Sequence, residues 1–362
     1  MNKLVDVLNN PKILISLSQR ELSTVIAEAR YFNMLAQLQQ ECQRHGIWES
    51  LPKKCQQHLE SASLFYLNQQ KKLKEEVEEI SRVLSPLKVT WIYLKGGAYH
   101  LNKMNHFAGR MMNDLDILVE EDALPSVEAA LHANGWISSD INSYDEKFYR
   151  HLSQEIPPLR HIYRQVELDV HFNILPKTLK DPVDGRFLFE QSTPLEQYQY
   201  QKVLKPHAML IHSAIHLFYE SEYHKGLRDL YDINILVKHY SKSPSFWDDI
   251  IKLHHKIGNE QSVYLALRYC HQIFNTEIPK HVQHYFNEFK PNAAYLRLLD
   301  FCFLSIFTSM YPPLRNKRHW FCETVLYLRG HLKRMPLRLL IPHLTKKSLD
   351  KLKTKEEVHD LI

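Results

Sequence analysis

Apolar positions recur at helical spacing through Leu22, Val25, Ile26 and Ala29, and again through Phe32, Leu35 and Leu38, so the chain from Ser18 to about Leu84 reads as helices. A break falls around His45-Gly46 and Pro52. The run Ser61 to Ser81 is rich in strong helix formers, and its charge run KKLKEEVEE reads as a solvated face. The period then changes. Val89 to Leu94 is a short apolar run of strand length, and a second strand carries Asp114 and Asp116 and runs to Val119. Pro125 starts a helix that Gly135 ends, and Trp136-Ile137 begins a return strand. Residues 140–160 are irregular, rich in Tyr, His and Ser, close with Pro157-Pro158, and would suit a loop over a site. Gln165 to Ile174 alternates polar and apolar residues as a strand does. From about Glu190 the pattern is helical again, with apolar stripes in KVLKPHAMLIHSAIHLFYES and GLRDLYDINILVKHY. The fold class is therefore α+β: a helical region over 1–84, a small mixed sheet with its helices over 85–188, and a second helical region over 189–362.

Composition narrows the class. The 362 residues, 44% of them hydrophobic and 11% aromatic, hold enough apolar material for a sizeable core and exclude a disordered chain. A net charge of +5, from 46 basic and 41 acidic residues, suits an anionic substrate without demanding nucleic acid. The five cysteines have no paired spacing and read as reduced thiols. The first residues carry no secretion-signal pattern, and the most apolar window, around Leu296 to Phe307, is broken by Arg297 and Asp300. A cytoplasmic protein with no membrane span is expected.

The chemistry concentrates between Trp91 and Val119. In a strand, Asp114 and Asp116 share one face. Like charges so close repel unless a cation sits between them, and their oxygens suit Mg²⁺ or Mn²⁺. Gly96-Gly97 opens a helix where a backbone can approach an anion closely, so metal and phosphate come together as at a nucleotide site. Glu167, Asp169 and His171 share a face of the later strand.

A strand ending in Gly-Gly, a helix, and a strand with Asp-x-Asp resemble the core of the polymerase-β-like nucleotidyltransferase superfamily. The fuller strings LKGGAYH and GRMMNDLDILV are similar to a bacterial group called uncharacterised nucleotidyltransferases, including the long stretch between glycines and aspartates and Arg110 shortly before them. The resemblance covers the chain to about residue 240. It implies a metal-dependent transfer of a nucleoside monophosphate from an NTP, such as ATP, to a hydroxyl, with pyrophosphate released. It maps a third carboxylate onto Asp169 with His171 as its companion; Glu167 is an alternative ligand. Asp114, Asp116 and Asp169 would hold metal, Gly96 and Gly97 would cradle phosphates, and Arg110 would neutralise the leaving pyrophosphate. Arg110 could equally pair with one of the aspartates, and Lys95 could reach a phosphate or solvent. His216, Arg228 and Asp232 match the group in the later helices, where they would line the pocket; Arg228 and Asp232, four apart, could also form an intrahelical ion pair.

Other readings remain. The chain could be a catalytically silent nucleotide-binding adaptor, or could contact RNA through the basic segment Arg315 to Lys355, which reads equally as an amphipathic helix packed on the body. A metal phosphohydrolase would show an adjacent His-Asp pair, which the helical stretch carrying His216 and Asp232 lacks. His254-His255 and His281/His284 read as surface histidines. The acceptor, whether small molecule, protein or RNA, is not encoded in any motif.

Overall fold

The structure, a computed structural model, describes residues 2–138, 146, 149–150, 152–179, 183–257, 260–309, 311–342 and 345. Its α+β architecture is one mixed seven-stranded sheet with helical regions on either side. The strands are β1 (Trp91–Tyr93), β2 (Leu115–Val119), β3 (Trp136–Ser138), β4 (Leu159–His161), β5 (Glu167–His171), β6 (Ser192–Pro194) and β7 (Gln201–Leu204), in the order β3-β4-β5-β2-β1-β7-β6. The two central strands, β1 and β2, are antiparallel; β2 pairs parallel with β5, and β1 parallel with β7. Every residue of β1 and β2 is buried, as expected of strands covered on both faces.

Four helices precede the sheet: α1 (Lys3–Asn9), α2 (Gln19–Tyr31), α3 (Leu35–Arg44) and α4 (Lys53–Leu84). Ser18 and Glu21 form a capping box at the start of α2, satisfying backbone donors the helix leaves open. The long α4 braces the site. Gln69 exchanges hydrogen bonds with the backbone of Met112 (2.7 and 2.9 Å), just before β2, and Glu76 accepts from Arg164 (2.5 Å), just before β5. Within the sheet region lie α5 (Lys95–Leu101), α6 (Leu124–Ala133) and the single turn α7 (Phe187–Glu190).

After the sheet come α8 (Pro206–Tyr219), α9 (Gly226–Tyr240), α10 (Phe246–Ile257), α11 (Glu260–Phe274), α12 (Lys280–Asn287), α13 (Ala293–Ser309) and α14 (Lys317–Arg334). One hydrophobic cluster runs from Leu4 to Leu326, so both helical regions share a core with the sheet. The amino terminus closes on the later helices: Asn9 donates to the Ile273 carbonyl (2.8 Å), and Asn2 to that of Thr308.

Three sequence expectations change. The sheet continues past residue 190, because the short runs 192–194 and 201–204 pair with each other and with β1; the apolar QKVL merges in sequence with the helix that Pro206 starts. Part of the 140–160 segment lies outside the described residues, and its end is ordered: Ile156 donates to the Val170 carbonyl (3.1 Å) and Leu159 begins β4. His254 is not on the surface but buried against Tyr285, Phe286 and Phe289. Among the described residues, no helix is long and apolar enough to cross a membrane.

Candidate active site

Asp116 and Asp169 are directly opposite each other in the parallel pairing of β2 with β5. Equal pleat phase turns both carboxylates to one face, with His171 two residues further along it. A donor atom of each of the three lies within 4.8 Å of the others. His171 donates from Nε2 to Asp116 Oδ1 (3.0 Å), while its Nδ1 stands 3.1 Å from Glu155 Oε2. The backbone of Glu155 bridges to His171, which brings this carboxylate from the irregular segment to the end of β5.

Lys95 reaches the same place from the turn after β1. Its Nζ donates to Asp116 Oδ1 at 2.6 Å. Its φ of +46° is left-handed, a conformation that costs a lysine about 1–3 kcal/mol and is found where surrounding structure enforces it. The enforcement is visible in the next two residues. A Cβ on Gly96 would come 2.6 Å from Met112 Cγ, and one on Gly97 2.7 Å from Leu115 Cδ1, so α5 lies close against the segment entering β2 and a larger residue would have to displace those side chains.

The charges in this group do not balance. Burial pushes the Asp116 carboxyl upward, but the Lys95 ammonium and His171 overcome it and hold its pKa well below the usual carboxylate range. Burial together with the charges of Asp116 and Glu155 pushes Asp169 up to about 8, and its buried Oδ1 has no partner among the described residues. Burial lowers His171, but Glu155 and Asp116 outweigh it and the net shift is upward. A carboxylate oxygen left unpaired in low dielectric beside two further acids is a fit for a divalent cation, and carboxylate oxygens suit hard ions such as Mg²⁺ or Mn²⁺.

Asp114 stands outside the group of three. The strand begins at Leu115, so Asp114 sits in the bend before it, half-buried, on the wall of a cavity of about 290 Å³. Lys95, Gly96 and Asp116 line that cavity from the sheet side, and His216, Lys225 and Arg228 from α8 and the start of α9. Glu167 takes no part; it is half exposed and lies 3.6 Å from Arg160 of β4. His216 is held well below its ordinary pKa by burial and by Lys95, with Nε2 3.3 Å from Glu220.

Arg110 pairs with neither Asp114 nor Asp116. Its Nε donates to Asp232 Oδ2 (2.9 Å), Nη2 lies 3.5 Å from Asp229 Oδ1, and Nη1 donates to the Met111 carbonyl (2.6 Å). Arg228 donates to Asp229 through Nε and Nη2 (3.0 and 2.8 Å), so the described ion pairs of α9 join Arg228 to Asp229 and Asp232 to Arg110, rather than Arg228 to Asp232. Burial pushes Asp232 up to about 6 despite Arg110, whereas the half-buried Asp229 is held down by Arg228 and Arg110. Arg228 Nη1 is buried without a partner among the described residues. Glu155 and Lys225 escaped the sequence reading, since neither sits in a periodic element or a motif.

No curated protein and no solved structure matches the chain. A family model described as uncharacterised nucleotidyltransferase matches residues 18–275, a span that holds both carboxylate strands, the glycine turn and α9. The chain belongs to this uncharacterised nucleotidyltransferase family.

Proposed function

We propose that the cavity between the sheet and the helices α8 and α9 binds a nucleoside triphosphate and transfers its monophosphate to a hydroxyl acceptor, releasing pyrophosphate. The observation that carries this reading is the level pairing of Asp116 with Asp169, one oxygen of which is buried and unpartnered. The core would be of the polymerase-β-like kind.

Asp116 and Asp169 would hold a Mg²⁺ or Mn²⁺ ion, with His171 and Asp114 beside them. When bound, that ion would supply Lewis-acid stabilisation of charge on the phosphate oxygens. The chain's own cations do the rest of the binding. Lys95, Lys225 and the unpartnered Nη1 of Arg228 point charge at one cavity, where triphosphate oxygens would satisfy them. Gly96 lies on the cavity wall next to Lys95, where a phosphate would approach its backbone. Arg110 holds α9 against the core through Asp232 and Asp229, which keeps Lys225 and Arg228 over the phosphate position. As the new P–O bond forms, the acceptor's hydroxyl proton is released and the P–O bond to pyrophosphate breaks.

A second reading draws on the Lys95–Asp116 ion pair: a lysine already neutralising the carboxylate is compatible with an adaptor that binds nucleotide and transfers nothing. One experiment separates the two. The protein is incubated with each α-³²P-labelled NTP and Mg²⁺ or Mn²⁺, alone and with lysate fractions, beside an Asp114→Ala/Asp116→Ala control. Label that moves to an acceptor only with intact carboxylates supports transfer. Metal-dependent nucleotide binding without label supports the adaptor.

A further inference from the structure

The cavity shares a wall with a second hollow of about 270 Å³. Glu222 and His224 line both. The far side of the second hollow is α14, which presents Trp320, Glu323 and Tyr327, spaced three and four residues apart and so on one helical face. The helix can lie there because of Gly330: a Cβ at that position would come 2.4 Å from the Glu220 carbonyl and 2.6 Å from Ser221 Cα. Arg334 adds an ion pair to Glu220 (2.9 Å). The segment joining α8 to α9 is thereby shared between the two hollows.

Trp320 is 71% exposed, far more than is usual for the largest apolar side chain. Two carboxylates stand around it. Glu222 is exposed beside His224 (3.6 Å), and Glu323 is paired with Arg315 (3.2 Å). An aromatic face offers apolar contact, and carboxylates only accept hydrogen bonds. That combination fits a ring with a C–H face and several donating hydroxyls.

We infer that this second hollow is the acceptor subsite and that its occupant is a saccharide, stacked on Trp320 and Tyr327, donating hydroxyls to Glu222 and Glu323, with one further hydroxyl carried across the shared wall to the phosphate. The inference rests on the transfer reading above for the word acceptor; the binding of a sugar ring does not. α14, which supplies Trp320, Glu323 and Tyr327, lies beyond the segment matched by the family model, whereas Glu222 and His224 lie within it and line both hollows.

The test is saturation-transfer NMR on the full chain with the methyl glycosides of glucose, galactose, mannose and glucosamine, beside a single-stranded oligoribonucleotide and a serine-containing peptide. The expected result is saturation of ring protons of at least one glycoside. The effect should fall at least fivefold in Trp320→Ala, whose exposed side chain is not needed for folding, and should be unchanged in Asp116→Asn. The inference is overturned if no glycoside saturates, if Trp320→Ala retains the effect, or if only the RNA or the peptide binds. Labelling of a different acceptor class without glycoside saturation overturns it while leaving nucleotidyl transfer standing. Glycoside saturation in a protein that binds no NTP keeps the sugar site and overturns the transfer reading instead.

Discussion

Two buried clusters of charge face one cavity, and they are built to opposite rules. In the first, Arg110 and Arg228 meet Asp229 and Asp232, two cations against two anions at 2.8–3.5 Å. In the second, Asp116, Asp169 and Glu155 meet only Lys95 and His171, and an oxygen of Asp169 has no partner among the described residues. Burying charge is costly unless it is paired; the first cluster balances two cations against two anions, although Arg228 Nη1 and Asp232 Oδ1 have no hydrogen-bond partner among the described residues, whereas the second sets three acids against two cations. The difference separates a brace from a binding site. It predicts that damage to the brace is read in stability, and damage to the other cluster in metal binding and activity.

The largest effect is expected at Asp116. Asp116→Asn removes the charge that Lys95 and His171 are gathered around, and transfer of label from NTP should fall by more than about 10³-fold, the scale of losing metal and electrostatic stabilisation together. The fold should survive, because Asn keeps hydrogen-bonding capacity and removal of the Asp116 charge lets Asp169 ionise beside Lys95. Near-normal transfer in this variant would remove the metal assignment.

Next comes the brace. Arg110→Met leaves Asp232 buried without its cation, and loss of one partner of a buried pair costs about 3–5 kcal/mol. Urea denaturation should show this as a lower midpoint, and Asp232→Asn added to Arg110→Met should recover part of it, since the stranded charge is gone. A single Arg110→Met variant that is as stable as the parent but fails to bind NTP would reverse the assignment, making Arg110 a phosphate ligand.

The third prediction concerns pH. Asp169 is pushed up to about 8, so below that pH a cation must displace its proton, and His171, also raised, adds to the same slope. Mn²⁺ affinity followed by electron paramagnetic resonance should rise at least about tenfold per pH unit between 6 and 8, more steeply where His171 is protonated as well, and level off above. Stability without metal runs the other way. A carboxyl whose folded pKa lies above its ordinary 3.8 contributes fully below about pH 4, and that contribution is lost as pH rises to 8. Asp169→Asn should therefore weaken Mn²⁺ binding, flatten its pH profile, and stabilise the metal-free protein at pH 8. A pH-independent affinity in the parent would show that Asp169 is not titrated by the cation.

What the sequence made legible follows from its periodicities. The alternation in ELDVH places Asp169 and His171 on one face, and the glycine pair marks a close approach, because both are local properties. The level pairing of Asp116 with Asp169 is set by strand register between distant segments, which no local pattern states. Alternation puts Asp114 on the face of Asp116; the strand itself begins at Leu115, and Asp114, in the bend before it, lines the same cavity as Asp116. Glu155 sits in a stretch without period, and the partner of Arg110 lies 122 residues away on a helix whose own Arg228 looked sufficient for Asp232. The register of β2 with β5 and the pairing of Arg110 with Asp232 are long-range contacts, which local periodicity does not carry.

The smallest effect tests Glu155, the acid that only the structure revealed. Its charge acts on two neighbours at once, raising His171 and Asp169. Glu155→Gln keeps an oxygen for His171 Nδ1 but removes that charge, so both groups should titrate at lower pH. The Mn²⁺ affinity profile should move toward acid by less than about one pH unit, with the plateau affinity at pH 9 and the thermal midpoint little changed. If Glu155 is itself a ligand, the plateau falls by more than about tenfold, because a lost carboxylate donor cannot be restored by raising the pH. A shifted curve with an intact plateau makes Glu155 the group that tunes the second cluster, whereas a lowered plateau makes the cation site one carboxylate larger than Asp116, Asp169 and His171.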